Sequence, residues 1–136
     1  MDGRVRVEAL PVSEPGAPNQ PAAKRLLLEK GELAQFYTSP EPIRTIAYCE
    51  LREGKVRGNH YHHRRLEHMY VIRGACRLVL EDVAGKGRDE AILGAGDLAI
   101  IPPGIAHAIE PLAHGDAIEF SPMEFDPADT LPYAVI

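Results

Sequence analysis

Four of the six histidines fall between positions 60 and 68, and His60-Tyr61-His62 is the informative part of that cluster. In a β-strand the side chains alternate between faces, so His60 and His62 point the same way and their ring nitrogens can converge on one ion. Glu67 follows five residues after His62, far enough for a tight turn through 63–65 to return it alongside on the next strand. His107 arrives much later, just after Pro102-Pro103-Gly104, and can close the site from a neighbouring strand. Three imidazoles and one carboxylate suit Zn(II), Fe(II), Mn(II), Ni(II) or Co(II), and suit Ca(II) poorly because that ion prefers oxygen donors. The expected cofactor is therefore one divalent transition metal held by His60, His62, Glu67 and His107. A six-coordinate ion on these ligands keeps two positions for water or substrate. A surface His-x-His pair alone carries little weight; Glu67 and the later Pro-Gly-x-x-His give it force. His63 and His68 have the opposite strand parity from the nearest ligands, and His114 sits in a Gly-containing turn, so none of the three is expected to bind the ion.

Short strands are the elements expected to position these residues. The 136-residue chain fits one domain with one core. Its 12 glycines and 12 prolines disfavour long helices. Residues 4–8 alternate polar and apolar, as a half-buried strand does. Pro11, Pro15, Pro18 and Pro21 mark an extended arm or linker. Residues 24–29 fit a short helix or a strand, ended by Gly31. From Ile43 onward the strand signal is steady, over 43–51, 59–63, 67–72, 75–83, 90–93, 98–101, 106–110 and 117–120. These runs are separated by glycine- and proline-containing turns, with Gly85-Lys86-Gly87 as a hairpin tip. About eight short strands at this spacing describe a sandwich or barrel. The expected organisation is one domain, with an N-terminal strand and Pro-rich arm over 1–42 and a barrel with a C-terminal tail over 43–136.

Charge and composition narrow the function. The net charge of −5 offers no basic face for nucleic acid. No apolar run approaches a membrane span, and the N-terminus lacks the apolar stretch of a secretory signal, so a cytoplasmic location is expected. Cys49 and Cys76 lack any CxxC spacing and read as small core residues rather than a zinc pair, with one bridge between them left open. Met69, Val71, Leu78 and Leu80 read as the apolar lining of the barrel.

The spacing Gly54-x5-His60-x-His62-x4-Glu67-x6-Gly74 resembles the first cupin motif throughout. Gly96-x5-Pro102-x-Gly104-x2-His107 resembles most of the second, which usually ends in Asn where this chain has Pro111. The similarity extends over about residues 43–120. The resemblance implies an all-β, mainly antiparallel double-stranded β-helix (a jelly-roll barrel), an interior metal and commonly a homodimer. Arg57-Gly58-Asn59-His60-Tyr61-His62-His63 and the tail from Glu124 to Tyr133 are similar to the cupin domain of capsular-polysaccharide enzymes that act on nucleotide-linked keto-sugars. Sugar-nucleotide 3,4-ketoisomerases share part of that signature. Those relatives imply isomerisation or epimerisation next to a carbonyl of a small-molecule substrate.

Such chemistry needs a base that reaches the pocket. Tyr48, His68 and Glu119 are the candidates, together with Tyr61, although strand parity disfavours Tyr61 and His68. Arg57 is the candidate for substrate phosphate or carboxylate, whereas Arg64 and Arg65 read as a solvated charged turn. The same ligand set is equally compatible with an Fe(II)-dependent dioxygenase, whose activity would follow iron and consume oxygen. A non-catalytic metal- or small-molecule-binding barrel is the third reading; no helix-turn-helix pattern makes it a DNA-binding regulator.

Overall fold

A computed structural model describes residues 4–85 and 87–136. The strands are β1 (Arg6–Ala9), β2 (Lys24–Leu28), β3 (Gly31–Gln35), β4 (Thr45–Leu51), β5 (Arg57–Tyr61), β6 (Glu67–Arg73), β7 (Ala75–Asp82), β8 (Arg88–Gly94), β9 (Asp97–Ile101), β10 (Ile105–Pro111), β11 (Gly115–Ser121) and β12 (Leu131–Pro132), with a 3-10 turn at Pro127–Asp129. Two five-stranded sheets, ordered β1-β9-β6-β11-β4 and β12-β5-β10-β7-β8, form the barrel, and every ladder between strands is antiparallel. The expected all-β jelly roll is present, and each of the eight runs read from Ile43 onward coincides with one of β4 to β11.

The inner faces of the two sheets meet in one apolar core. Leu51, Met69, Val71, Leu78, Leu80, Leu93, Ile101 and Ile105 are buried there, with Cys49 and Cys76 among them as free thiols. Each sheet is also covered over part of its outer face, which explains why Leu78-Val79-Leu80 reads as a continuous apolar run rather than an alternating one. Val79 faces outward and packs with Ala106, Ala108 and Val135 of the C-terminal tail. Tyr70, Leu98, Ile100 and Phe120 face outward from the other sheet and pack under Leu10, Ala34, Phe36 and Tyr37.

The N-terminal arm carries more structure than its prolines imply. Residues 24–28 are a strand, and Gly31 does not end an isolated element but opens the second strand of a hairpin, at φ +119°. Arg25 anchors this β2–β3 hairpin: its N–H donates to the Pro11 carbonyl and its carbonyl accepts from Ser13 N–H, both at 2.9 Å. Residues 11–22 are otherwise mostly exposed. At the tip of the β7–β8 hairpin, Lys86 lies outside the described residues, and the adjoining Gly85 N–H donates to Asp82 at 2.9 Å.

Candidate metal centre and its cavity

A β-bulge sets the position of His60. In the β10–β5 ladder His107 lies opposite His60 and Ala108 opposite Gly58, so Asn59 is the extra residue. Gly58 and Asn59 both have positive φ, at 87° and 57°. Gly58 is required twice over: its backbone angle disfavours a side chain, and a Cβ there would stand 2.8 Å from the His107 carbonyl oxygen. Asn59 stabilises the bulge by accepting the backbone N–H groups of Val135 and Ile136 through Oδ1, at 2.8 and 3.1 Å.

His62, Glu67 and His107 are buried, and His60 is half-buried. One ligand atom from each of the four lies within 4.8 Å of the others. His62 Nδ1 donates to the Asp129 carbonyl at 2.7 Å, and His107 Nδ1 donates to the Ile105 carbonyl at 3.1 Å. A carbonyl oxygen only accepts, so both rings carry their proton on Nδ1 and turn Nε2 inward. Both Nε2 atoms face the same carboxylate oxygen, Glu67 Oε2, at 3.2 and 3.4 Å. Burial opposes the Glu67 charge, but His107, His62 and Arg65 outweigh it and hold the carboxyl well below the usual range. Burial, followed by the neighbouring His107 and His62, lowers the His60 pKa to about 4, so this ring is neutral at pH 7. Three imidazoles around one ionised carboxylate form a donor set that fits a single divalent transition ion.

Asp129 holds the turn between His62 and Glu67. Its carboxylate accepts the consecutive backbone N–H groups of His63, Arg64 and Arg65, with nearest distances of 2.8, 3.2 and 3.0 Å. Burial opposes its charge, but these three donors prevail and keep its pKa below the ordinary value. The local sequence explains its position: Asp126 caps the 3-10 turn by accepting from Ala128 N–H at 3.0 Å, and Pro127 pre-sets the first turn. This residue escaped the sequence reading because it lies more than sixty positions from the turn it holds; Asp-Pro at 126–127 was the available signal.

His60, His62 and Glu67 of the cluster line a cavity of about 1040 Å³, bordered also by Arg44, Arg64, Arg65 and Glu119. A smaller cavity of about 360 Å³ reaches His60, His107 and Glu119 from the side of Val56 and Arg57. Glu119 is therefore the candidate base placed beside the cluster. Burial first, and then the Glu67 charge, push its carboxyl up. The other candidates lie elsewhere. Tyr48 is 61% exposed on the outer face and hydrogen-bonded to Asp116. His68 is buried beneath the N-terminal arm, stacked on Phe120 with ring centroids 4.7 Å apart and edge-on to Tyr37 at 4.9 Å. Tyr61 packs outside the barrel with Tyr133. Arg57 borders the smaller opening, with Nη2 3.7 Å from Cys49 Sγ.

Arg64 and Arg65 are more than a solvated turn, because both border the larger cavity. The Arg65 side chain is only 13% exposed and lies 3.4 Å from Glu67, while Arg64 is exposed and paired with Asp126. Pro111, which stands where the second motif usually has Asn, is buried, and its carbonyl accepts Gly54 N–H at 3.0 Å. The local turn contact is thus made by backbone.

An antiparallel jelly roll whose interior carries convergent histidines and a carboxylate defines the class. The chain belongs to the cupin domain family, whose model matches residues 47–121. No curated protein matches the chain. Among solved structures, it is similar to a TDP-quinovose 3,4-ketoisomerase from Campylobacter jejuni, with a TM-score of 0.74, 16% identity and coverage of 95% of this chain and 92% of that one. It is also similar to a dTDP-4-dehydrorhamnose 3,5-epimerase from Sulfolobus tokodaii, with a TM-score of 0.69, 22% identity and coverage of 79% and 71%. A capsular polysaccharide assembling protein from Staphylococcus aureus aligns at TM-score 0.62 and 25% identity, over 82% of this chain and 32% of its own. Among the described residues no helix is long and apolar enough to cross a membrane.

Proposed function

We propose that this cupin is an isomerase or epimerase that moves a proton next to the carbonyl of a nucleotide-linked keto-sugar. The observation that carries the reading is the convergence of His60, His62, Glu67 and His107 within 4.8 Å, beside a cavity that His60, His62 and Glu67 line together with the half-buried Glu119. Two solved structures of similar fold are a ketoisomerase and an epimerase of sugar nucleotides, which supports the reaction class.

The four clustered residues would hold one divalent transition ion, which when bound would polarise the substrate carbonyl. Glu119 would take the proton from the adjacent carbon, since burial and the Glu67 charge raise its basicity above that of an ordinary carboxylate. Returning a proton to the opposite face of that carbon gives an epimer. Moving protons so that the carbonyl and the adjacent carbinol exchange places gives the ketoisomer. Arg44 and Arg64 on the rim supply cations for the substrate's phosphates. Asp129 has a positioning role, because it fixes the turn that carries His62 and Arg65.

Incubation in D2O with a panel of nucleotide-linked 4-keto sugars tests the reading. The expected result is deuterium at the carbon next to the carbonyl, with Glu119→Gln slowing its uptake by about a hundred-fold or more. Absence of exchange, of product and of nucleotide-sugar binding across the panel would overturn it. Oxygen consumption that follows iron content would replace it with the dioxygenase reading.

A further inference from the structure

Phe125 is 66% exposed at the edge of the larger cavity, on a segment pinned at both ends. Before it, Thr45 Oγ1 donates to the Met123 carbonyl at 2.6 Å, and Met123 N–H donates to Ser121 Oγ at 3.1 Å. After it, Asp126 caps the 3-10 turn and pairs with Arg64. The fold therefore holds a phenyl ring in water on a fixed mount, forgoing the stabilisation that burying it would bring. Its chain neighbours Glu124 and Asp126 are acids, so the ring stands between two charged residues along the segment. It suits one planar group better than a protein partner, which needs a contiguous patch.

Charge on the same rim indicates what accompanies that group. Arg44 borders the cavity and forms no ion pair among the described residues, Glu124 included. Arg64 shares its charge with Asp126. The fixed aromatic ring and these cations border the same cavity as His60, His62 and Glu67 of the cluster.

We infer that Phe125 is the platform on which the nucleobase of the substrate stacks, with the adjoining phosphates reaching Arg44 and Arg64. This rests on the proposed nucleotide-linked substrate and adds the residue that grips the base. Stacking on an aromatic side chain tolerates any base, so Phe125 supplies affinity while discriminating little among bases.

Calorimetric titration with inorganic pyrophosphate and with the diphosphates of uridine, thymidine, guanosine, adenosine and cytidine tests the inference on wild type, Phe125→Ala, Phe125→Tyr and Arg44→Gln. The expected result is that Phe125→Ala weakens the tightest nucleoside diphosphate by about ten-fold or more, leaves pyrophosphate unchanged, and is rescued by Phe125→Tyr. Arg44→Gln should weaken both ligand types. Equal affinity of Phe125→Ala and wild type for every nucleoside diphosphate would overturn the platform while the proposed substrate class stands. Failure of wild type to bind any nucleoside diphosphate would overturn both. A changed sedimentation coefficient in Phe125→Ala with unchanged affinities would assign the ring to contact with a second copy and overturn the inference.

Discussion

The main-chain carbonyl of Asp129 accepts the Nδ1 proton of His62 at 2.7 Å, while the carboxylate of the same residue accepts three successive N–H groups from the turn that follows His62. One residue of the C-terminal tail thus sets both the tautomer of a candidate ligand and the path of the chain toward Glu67. Asp129→Ala should cost on the order of 1–2 kcal/mol, because three part-buried donors lose a charged acceptor. It should also weaken Co(II) or Zn(II) binding by roughly ten- to a hundred-fold, the usual effect of disturbing residues that orient ligands. Chemical denaturation and metal titration read the two effects separately. Unaltered metal affinity in the folded variant would remove Asp129 from the site.

Proton competition is the second consequence. Burial opposes a charge on His62, but Glu67 and the Asp129 carbonyl outweigh it and raise the ring's pKa above the ordinary 6.5. With Nδ1 committed to the carbonyl, the titrating proton occupies Nε2, the atom that faces Glu67. A metal ion must displace it. Affinity for Zn(II) should therefore fall as pH is lowered, by about ten-fold per pH unit for each proton displaced, with the decline beginning above pH 6.5. A pH series of competitive chelator titrations measures this. An affinity that is flat from pH 8 to 6, a range set by the shift of a histidine group, would contradict the assignment of Nε2 as donor.

The Gly58–Asn59 bulge makes a sharper structural claim. Gly58→Ala introduces a Cβ into backbone at φ +87° and only 2.8 Å from the His107 carbonyl oxygen. The strand pair must separate, so the variant should lose about 1–3 kcal/mol of stability and displace His60 from His107. Denaturation midpoints and metal stoichiometry would record both losses. Wild-type values for the two would show that the bulge is not needed.

The thiols provide a check on the core. Burial, reinforced by nearby carboxylates, pushes the Cys49 thiol up to about 12, and burial followed by Asp97 pushes Cys76 up to about 11. The thiolate is the reactive form, so neither should react with an aromatic disulfide reagent at pH 8 in the native protein. Both should react once guanidinium unfolds the chain. Rapid reaction of either thiol in the native state would show that the space between the sheets is open there.

Much of the candidate site was legible because its four clustered residues obey local spacing. His60 and His62 share a face by strand parity, Glu67 lies one turn away, and His107 follows a Pro-Gly turn that stops β9. Parity likewise separated His68 from the ligands, and the structure places it on the outer face against Phe120. What was not legible depends on contacts between distant parts of the chain. Asp126-Pro127 signals the turn that carries Asp129, but not that its carboxylate reaches the turn at 63–65. The outer-face packing of Val79 against Val135, and of Tyr70 beneath Phe36, likewise required the two chain ends to be placed. The strand at 24–28 was ambiguous because three consecutive leucines carry no period, and its partner strand begins with a glycine that reads as a stop.

The central claim, one metal ion held by His60, His62, Glu67 and His107, is tested most directly by elemental analysis of the untagged protein beside His107→Ala, with circular dichroism to confirm that both are folded. The account predicts about one equivalent of a transition metal per chain in the wild type, directly or after reconstitution, and its loss in the variant. Metal retained at full stoichiometry in folded His107→Ala, or none bound by the wild type after reconstitution, would contradict it.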